Sequence, residues 1–207
     1  MSMRIDLTFH GKYTSVWALQ QAVRGSEKAR VVYMARSDDI EAVYAKFGRT
    51  LPAAKEKRDR CDVAYIGITS AADLGSRFGS PDGRQHHKVG DSTMAGKGLP
   101  SLTEFWAGYF RRPAEAAEDG GRHEWRLLLA EDILIAWFLP PLNTSGVQRS
   151  KAREGTGSGS FMSASVHLHW ATASGKQRST SPPGPFPKSL HYNHSAVDDA
   201  SRLVAYF

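Results

Sequence analysis

Two periods of apolar and polar residues run along this chain. In residues 13–24 (YTSVWALQQAVR), Val16, Leu19, Gln20 and Val23 fall near one face at helical spacing, and Thr14 or Ser15 is placed to cap the start. Residues 30–35 (RVVYMA) and 61–68 (CDVAYIGI) are dense in β-branched and aromatic side chains and predict two strands. Between them, residues 38–47 predict a short helix ending near Gly48, and residues 49–60 an exposed basic segment. Residues 70–79 predict a helix opened by Ser70, with Gly79 and Pro81 near its end, and residues 80–98 a polar, glycine-rich loop.

Residues 101–110 (SLTEFWAGYF) read as helical, with Ser101 and Glu104 in a capping-box pattern. A polar connection at 112–121 precedes a third strand at 122–129 and a buried helix at 130–138, stopped by Pro140-Pro141. Periodicity alone does not separate strand from helix in the run Leu127 to Leu139. From Ser150 the composition changes. GTGSGSF reads as a flexible linker, 161–171 as a strand, SPPGPFP as a turn-forming stretch and 195–206 as a short terminal helix. The expected fold is α/β, a small central mixed or antiparallel sheet flanked by helices. It occupies residues 30–149, between an N-terminal helical extension (1–29) and a C-terminal extension (150–207) of linker and short elements.

The 207 residues are 41% hydrophobic, enough for one core. Cys61 is the single cysteine, so a disulfide framework within one chain and a cysteine-based zinc site are both excluded. The longest apolar run, Ile133 to Leu142, is too short to span a bilayer and contains two prolines. The N-terminus lacks the shape of a signal peptide, and a cytoplasmic location without a membrane partner is expected. A net charge of +6 and a pI near 9.5 suit a polyanionic partner.

The residues able to carry chemistry are Tyr33 in the first predicted strand, Tyr65 in the second, Arg77 on the following helix, the pair His86-His87, Glu131 at the mouth of the buried helix, and Asn143 after its Pro-Pro stop. Each also has a plain reading. Strand tyrosines pack, a helical arginine is a surface charge, Glu131 and Asp132 favour a helix start, and an asparagine suits a turn. His86-His87 is a weak metal pair, because neighbouring residues point apart and no third ligand is at hand.

In order and context these elements resemble the GIY-YIG nuclease family over about residues 30–145. VVY at 31–33 stands where the family has GIY, and YIG at 65–67 is a literal match. LGSRF at 74–78 resembles the family's arginine helix, and AEDILIAWFLPPLNTS resembles its glutamate-bearing helix with the closing Pro-x-Leu-Asn element. Val31-Val32 replaces Gly-Ile, and Ile68 stands where many members carry lysine. The closest likeness in style is to the Type II restriction enzymes of this fold.

The resemblance implies a metal-dependent endonuclease that hydrolyses DNA, of restriction or defence type. Tyr33 would accept a proton from the attacking water, partnered by His86 or His87. Tyr65 would hold phosphate or water, and Arg77 would clamp phosphate oxygens. Glu131 would hold Mg²⁺, or another divalent cation such as Mn²⁺, and Asn143 would orient a neighbour through hydrogen bonds. DNA contacts would come from Lys55, Lys57, Arg58, Arg60, Arg84 and Lys88, with Arg149, Lys151 and Arg153 in the tail; a homodimer or higher oligomer is allowed. The alternatives are a non-catalytic nucleic-acid-binding or interaction module on the same fold, and a nuclease toxin. No G-x-S-x-G, Walker or H-E-x-x-H motif competes.

Overall fold

The computed structural model describes residues 2–23, 31–51, 62–69, 91–110, 122–143, 163–171, 186–193 and 203–207. Ile5, Leu7 and Phe9 alternate with Arg4, Asp6 and Thr8, the period of a half-buried strand. The chain accordingly opens in β1 (Ser2–Tyr13), where helix was expected, and the three apolar side chains are buried. Helix follows in α1 (Val16–Val23), capped by the Ser15 hydroxyl, which accepts from the Ala18 amide at 3.0 Å. Then come β2 (Val31–Ser37), α2 (Ile40–Lys46), β3 (Val63–Thr69), α3 (Asp91–Gly96), β4 (Leu102–Phe110), α4 (Arg122–Phe138), β5 (Ser163–Trp170), β6 (Ser189–Asn193) and β7 (Leu203–Tyr206).

The strands form one seven-stranded sheet in the order β3-β2-β4-β1-β5-β6-β7. β1 and β5 are parallel and every other adjacent pair is antiparallel, so the fold is a mixed α/β sheet with few helices. The segments read as extensions supply β1, β5, β6 and β7 of this sheet.

Alternation along the strands builds two apolar layers. Val32, Met34, Ile66 and Trp106 share one face with Leu7, Val166 and Leu190, and α4 covers it with Leu127, Ala130, Leu134 and Phe138. Val31, Tyr33, Ala35, Phe105 and Ala107 point the other way, against Val16 and Leu19 of α1, Val43 and Tyr44 of α2, and Met94 of α3.

Several sequence expectations are corrected. Residues 102–110 are a strand, because β4 lies between β2 and β1 and is buried on both faces, so its apolar run satisfies helix and strand patterns alike. Glu104 caps nothing; it is buried and pairs with Lys12 and with Arg36, the latter at 3.2 Å. Residues 122–129 are the first half of α4, since Leu127, Ala130, Leu134 and Phe138 keep one helical stripe with no breaker between them. The predicted loop at 80–98 contains α3, and Gly98 follows it at φ +61°. The C-terminus is a strand, where Leu203 and Ala205 alternate toward the core with Val204 and Tyr206 outward. The predicted helix at 70–79, the loop at 80–90, the basic segment at 52–60 and the linker after Ser150 lie outside the described residues.

On β1, Arg4 donates to both carboxylate oxygens of Asp6, at 2.8 and 2.9 Å, and His169 Nε2 lies 2.9 Å from Oδ1. The Arg4 guanidinium foremost, then the His169 contact, outweigh partial burial and hold the Asp6 carboxyl at about 2, below its usual 3.8. A depressed folded value means that the unfolded chain binds the proton more readily. Asp6 therefore contributes stability above pH 3.8 that is lost as pH falls toward about 2. In thermal unfolding followed against pH, Asp6→Asn is expected to show a shallower loss across that window than the parent protein. Identical slopes would remove Asp6 as a contributor.

Candidate active site

The register of three strands places the two tyrosines together. Tyr33 on β2 stands opposite Gly67 on β3 and Ala107 on β4, while Tyr65 stands opposite Ala35. Both rings leave the sheet on the same face, with centroids 5.9 Å apart and planes tilted by 42°. The small partners matter because each ring lies over a cross-strand neighbour. A Cβ on Gly67 would fall 2.6 Å from Cζ and Oη of Tyr33 and 2.8 Å from Cε1 of Tyr65. The glycine of YIG is thus the floor on which the Tyr33 ring rests. The pair is deeply set, with Tyr33 1% and Tyr65 4% exposed.

Among the described residues β3 ends one side of the sheet, so its alternate residues turn their amide groups outward with no further described strand to meet them. The turn after α4 fills that role. Leu142 N–H donates to Ala64 O at 3.0 Å. The buried Asn143 side chain accepts from Ile66 N–H through Oδ1 at 2.8 Å and donates from Nδ2 to Ile66 O at 2.5 Å. This two-way clasp, each bond worth about 1 kcal/mol, fixes the backbone between Tyr65 and Gly67. The group that the Asn143 side chain holds is thus the backbone of the strand carrying YIG.

The turn is set from its other end too. Leu139 adopts φ +47° immediately before Pro140, a backbone region unfavourable for a branched residue. The Tyr44 hydroxyl of α2 donates to the Leu139 carbonyl. A β-bulge in β3, where Ala35 pairs with Tyr65 but Arg36 with Val63, turns Ala64 to the tyrosine side next to Leu142.

Glu131 is 9% exposed and lies on the buried stripe of α4, whereas Asp132, about 100° further round the helix, is half-buried. α4 packs on the face of the sheet opposite the two rings, so the route between carboxylate and hydroxyls runs round the edge of β3. On the helical wheel Glu131 stands about 120° from Trp137, whose ring meets Phe207 6.5 Å away, which sets Glu131 on the flank away from the end of β7.

The structure therefore brings Tyr33, Tyr65 and Asn143 around one stretch of β3 and carries Glu131 on the helix leading to that stretch. Arg77, His86, His87, Arg84 and Lys88 lie outside the described residues, as do Lys55, Lys57, Arg58 and Arg60.

Comparison with protein-family models, with curated proteins and with solved structures finds no match.

Among the described residues no three His, Cys, Asp or Glu side chains gather as a metal site, and no helix is long and apolar enough to cross a membrane. Sequence reasoning did not foresee two contributors. Gly67 was read only as part of a motif, although its pairing with Tyr33 follows once β2 and β3 are aligned. The Tyr44–Leu139 contact joins residues remote in sequence and has no local signal.

Proposed function

We propose that this chain is a metal-dependent nuclease of the GIY-YIG type that hydrolyses DNA phosphodiester bonds. The observation that carries the reading is the seating of Tyr33 and Tyr65 over Gly67, with Asn143 clasping Ile66 between them. Three sequence blocks that make the resemblance thereby meet for a physical reason rather than by order alone.

In this reading Tyr33 accepts the proton of the attacking water. A phenol titrating near pH 10 needs a basic or cationic neighbour to do so at neutral pH, the role assigned to His86 or His87. Tyr65 holds water or phosphate, and Arg77 neutralises phosphate oxygens with its fork of donors. Asn143 acts at one remove, as a positioning residue through Ile66. Glu131 as the protein ligand, with water completing the shell and no cluster of three ligands among the described residues, fits Mg²⁺ and does not fit a closed zinc site. Such an ion, when bound, supplies charge neutralisation at phosphorus and a more acidic water. Among the described residues β3 ends one side of the sheet and its outer edge is held by Leu142 and Asn143, so a nucleic acid in this reading lies beyond that turn, where residues from both faces of the sheet come closest.

One observation favours a second reading. Both tyrosine rings are almost fully buried, as packing residues are, and a nucleic-acid-binding module without chemistry would keep them so. Plasmid DNA incubated with the protein and Mg²⁺, with and without excess EDTA, separates the two. Metal-dependent cleavage that falls about a hundredfold in Tyr33→Phe, as for loss of a general base, is expected. DNA binding with no cleavage under any divalent cation would replace the nuclease reading by the binding module.

A further inference from the structure

The half of the sheet remote from the tyrosines turns Leu7, Val166 and Leu190 toward α4. The alternate positions face the other way, and on β5 and β6 they are Ser165, His167, Ser189 and His191. Register sets Ser165 opposite His191 and His167 opposite Ser189, so the four side chains form a checkerboard of hydroxyls and imidazoles. Each ring turns back to the serine on its own strand. His167 Nε2 lies 3.2 Å from Ser165 Oγ, and His191 Nε2 lies 3.1 Å from Ser189 Oγ. The two rings meet on the diagonal, with centroids 5.7 Å apart and planes at 68°.

This arrangement is organised beyond what packing asks of it. The serines are buried and the histidines half-buried, so the hydroxyls act as seats beneath the rings. A Nε2–H donated to a serine oxygen leaves the lone pair on Nδ1, and fixing one ring nitrogen in this way is how a protein orients a metal-ligating imidazole. Two imidazoles on one tetrahedral cation, with metal–nitrogen bonds of about 2.0–2.1 Å, have ring centres about 5 Å apart. The observed centroid separation of 5.7 Å is close to that value.

We infer that His167 and His191 form a cross-strand chelate for a borderline divalent transition cation of the Zn²⁺, Ni²⁺ and Cu²⁺ class. The neighbours define its character. Asp6, opposite His167, is taken by Arg4 and His169, and the Tyr206 ring packs on His191 with centroids 4.8 Å apart. No third acidic, histidine or cysteine ligand gathers there among the described residues, so water completes the coordination and the ion exchanges readily. Imidazole donors favour Cu²⁺ and Zn²⁺ over Mg²⁺. The site is thus chemically distinct from a carboxylate site at Glu131, and bound cation would pin β5 to β6.

Calorimetric titration of the full chain with zinc chloride tests this, alongside zinc-induced shifts of the melting temperature. Wild type is expected to bind zinc. His167→Asn and His191→Gln each weaken one site at least tenfold, since losing even an outer-shell partner costs about 10–100-fold, while His10→Ala, whose ring packs on Tyr109, leaves it unchanged. Magnesium chloride at the same concentration is expected to give no shift. The histidine ring signals in NMR spectra of the wild-type protein give an arm independent of folding in the variants, with His167 and His191 moving together on zinc addition. Equal zinc affinity in wild type and both folded ligand variants, or unmoved His167 and His191 signals at saturating zinc, would overturn the chelate. Neither result bears on DNA cleavage.

Discussion

Gly67→Ala is expected to lower the unfolding free energy by about 1–3 kcal/mol, the usual range for overpacking a filled core, and to push the Tyr33 and Tyr65 rings apart. The added methyl would sit 2.6 Å from the end of the Tyr33 ring and 2.8 Å from an edge carbon of Tyr65. Neither ring has solvent to retreat into. The strand cannot move outward freely either, because Asn143 and Leu142 hold its outer edge at Ile66 and Ala64. Gly96→Ala is the control, since a Cβ there meets nothing within 4 Å. Urea unfolding of both variants measures the contrast. The clash with Tyr33 is isolated by repeating Gly67→Ala in a Tyr33→Leu background, where the penalty should shrink. An equal penalty in both backgrounds would mean that the methyl strains the backbone and not the tyrosine.

The tyrosine pair was legible in the sequence because a strand's side chains alternate. Once VVYMA and VAYIGI are read as neighbouring strands, the only open question is whether Tyr33 and Tyr65 share a face, and the register answers it. The Pro-Pro-Leu-Asn element was legible as a stop but not as a clasp, because nothing local in Asn143 names Ile66 as its partner. The misreadings have separate physical origins. β4 is buried on both faces, and a doubly buried strand carries no alternation to distinguish it from a buried helix. The first half of α4 was split off as a strand because the apolar run that begins at Leu127 shows no period clear enough to join it to the residues before it. β1 and β7 did carry the alternation of strands, in Ile5, Leu7 and Phe9 and in Leu203 and Ala205, but as end segments they were assigned to extensions. Parallel pairing of β1 with β5 joins residues at opposite ends of the chain, and no short-range pattern encodes it.

Glu131→Gln is expected to reduce Mg²⁺-dependent cleavage about a thousandfold or more, the loss of several kcal/mol of metal-derived stabilisation, while DNA binding is kept or tightened. Glu131 shares the buried stripe of α4 with Leu127, Leu134 and Phe138, and a carboxylate there is costly unless it is paired, solvated or bound to a cation. Glutamine has the same shape and volume, so α4 and the turn that places Asn143 should persist, and far-UV circular dichroism checks this. On the proposed nuclease reading the substitution removes a negative charge near phosphate, which favours association. Asp132→Asn is the discriminating partner. Asp132 lies about 100° round the helix and is less buried, so its variant should cleave nearly as well as wild type. Cleavage and binding have to be measured on the same folded preparation, because loss of both together would report a damaged helix rather than a missing ligand. Full activity in Glu131→Gln, or wild-type cleavage in excess EDTA, would rule out the metal role. Loss of activity in Asp132→Asn alone would move that role one residue along the helix, to the side chain that the burial of α4 argues against.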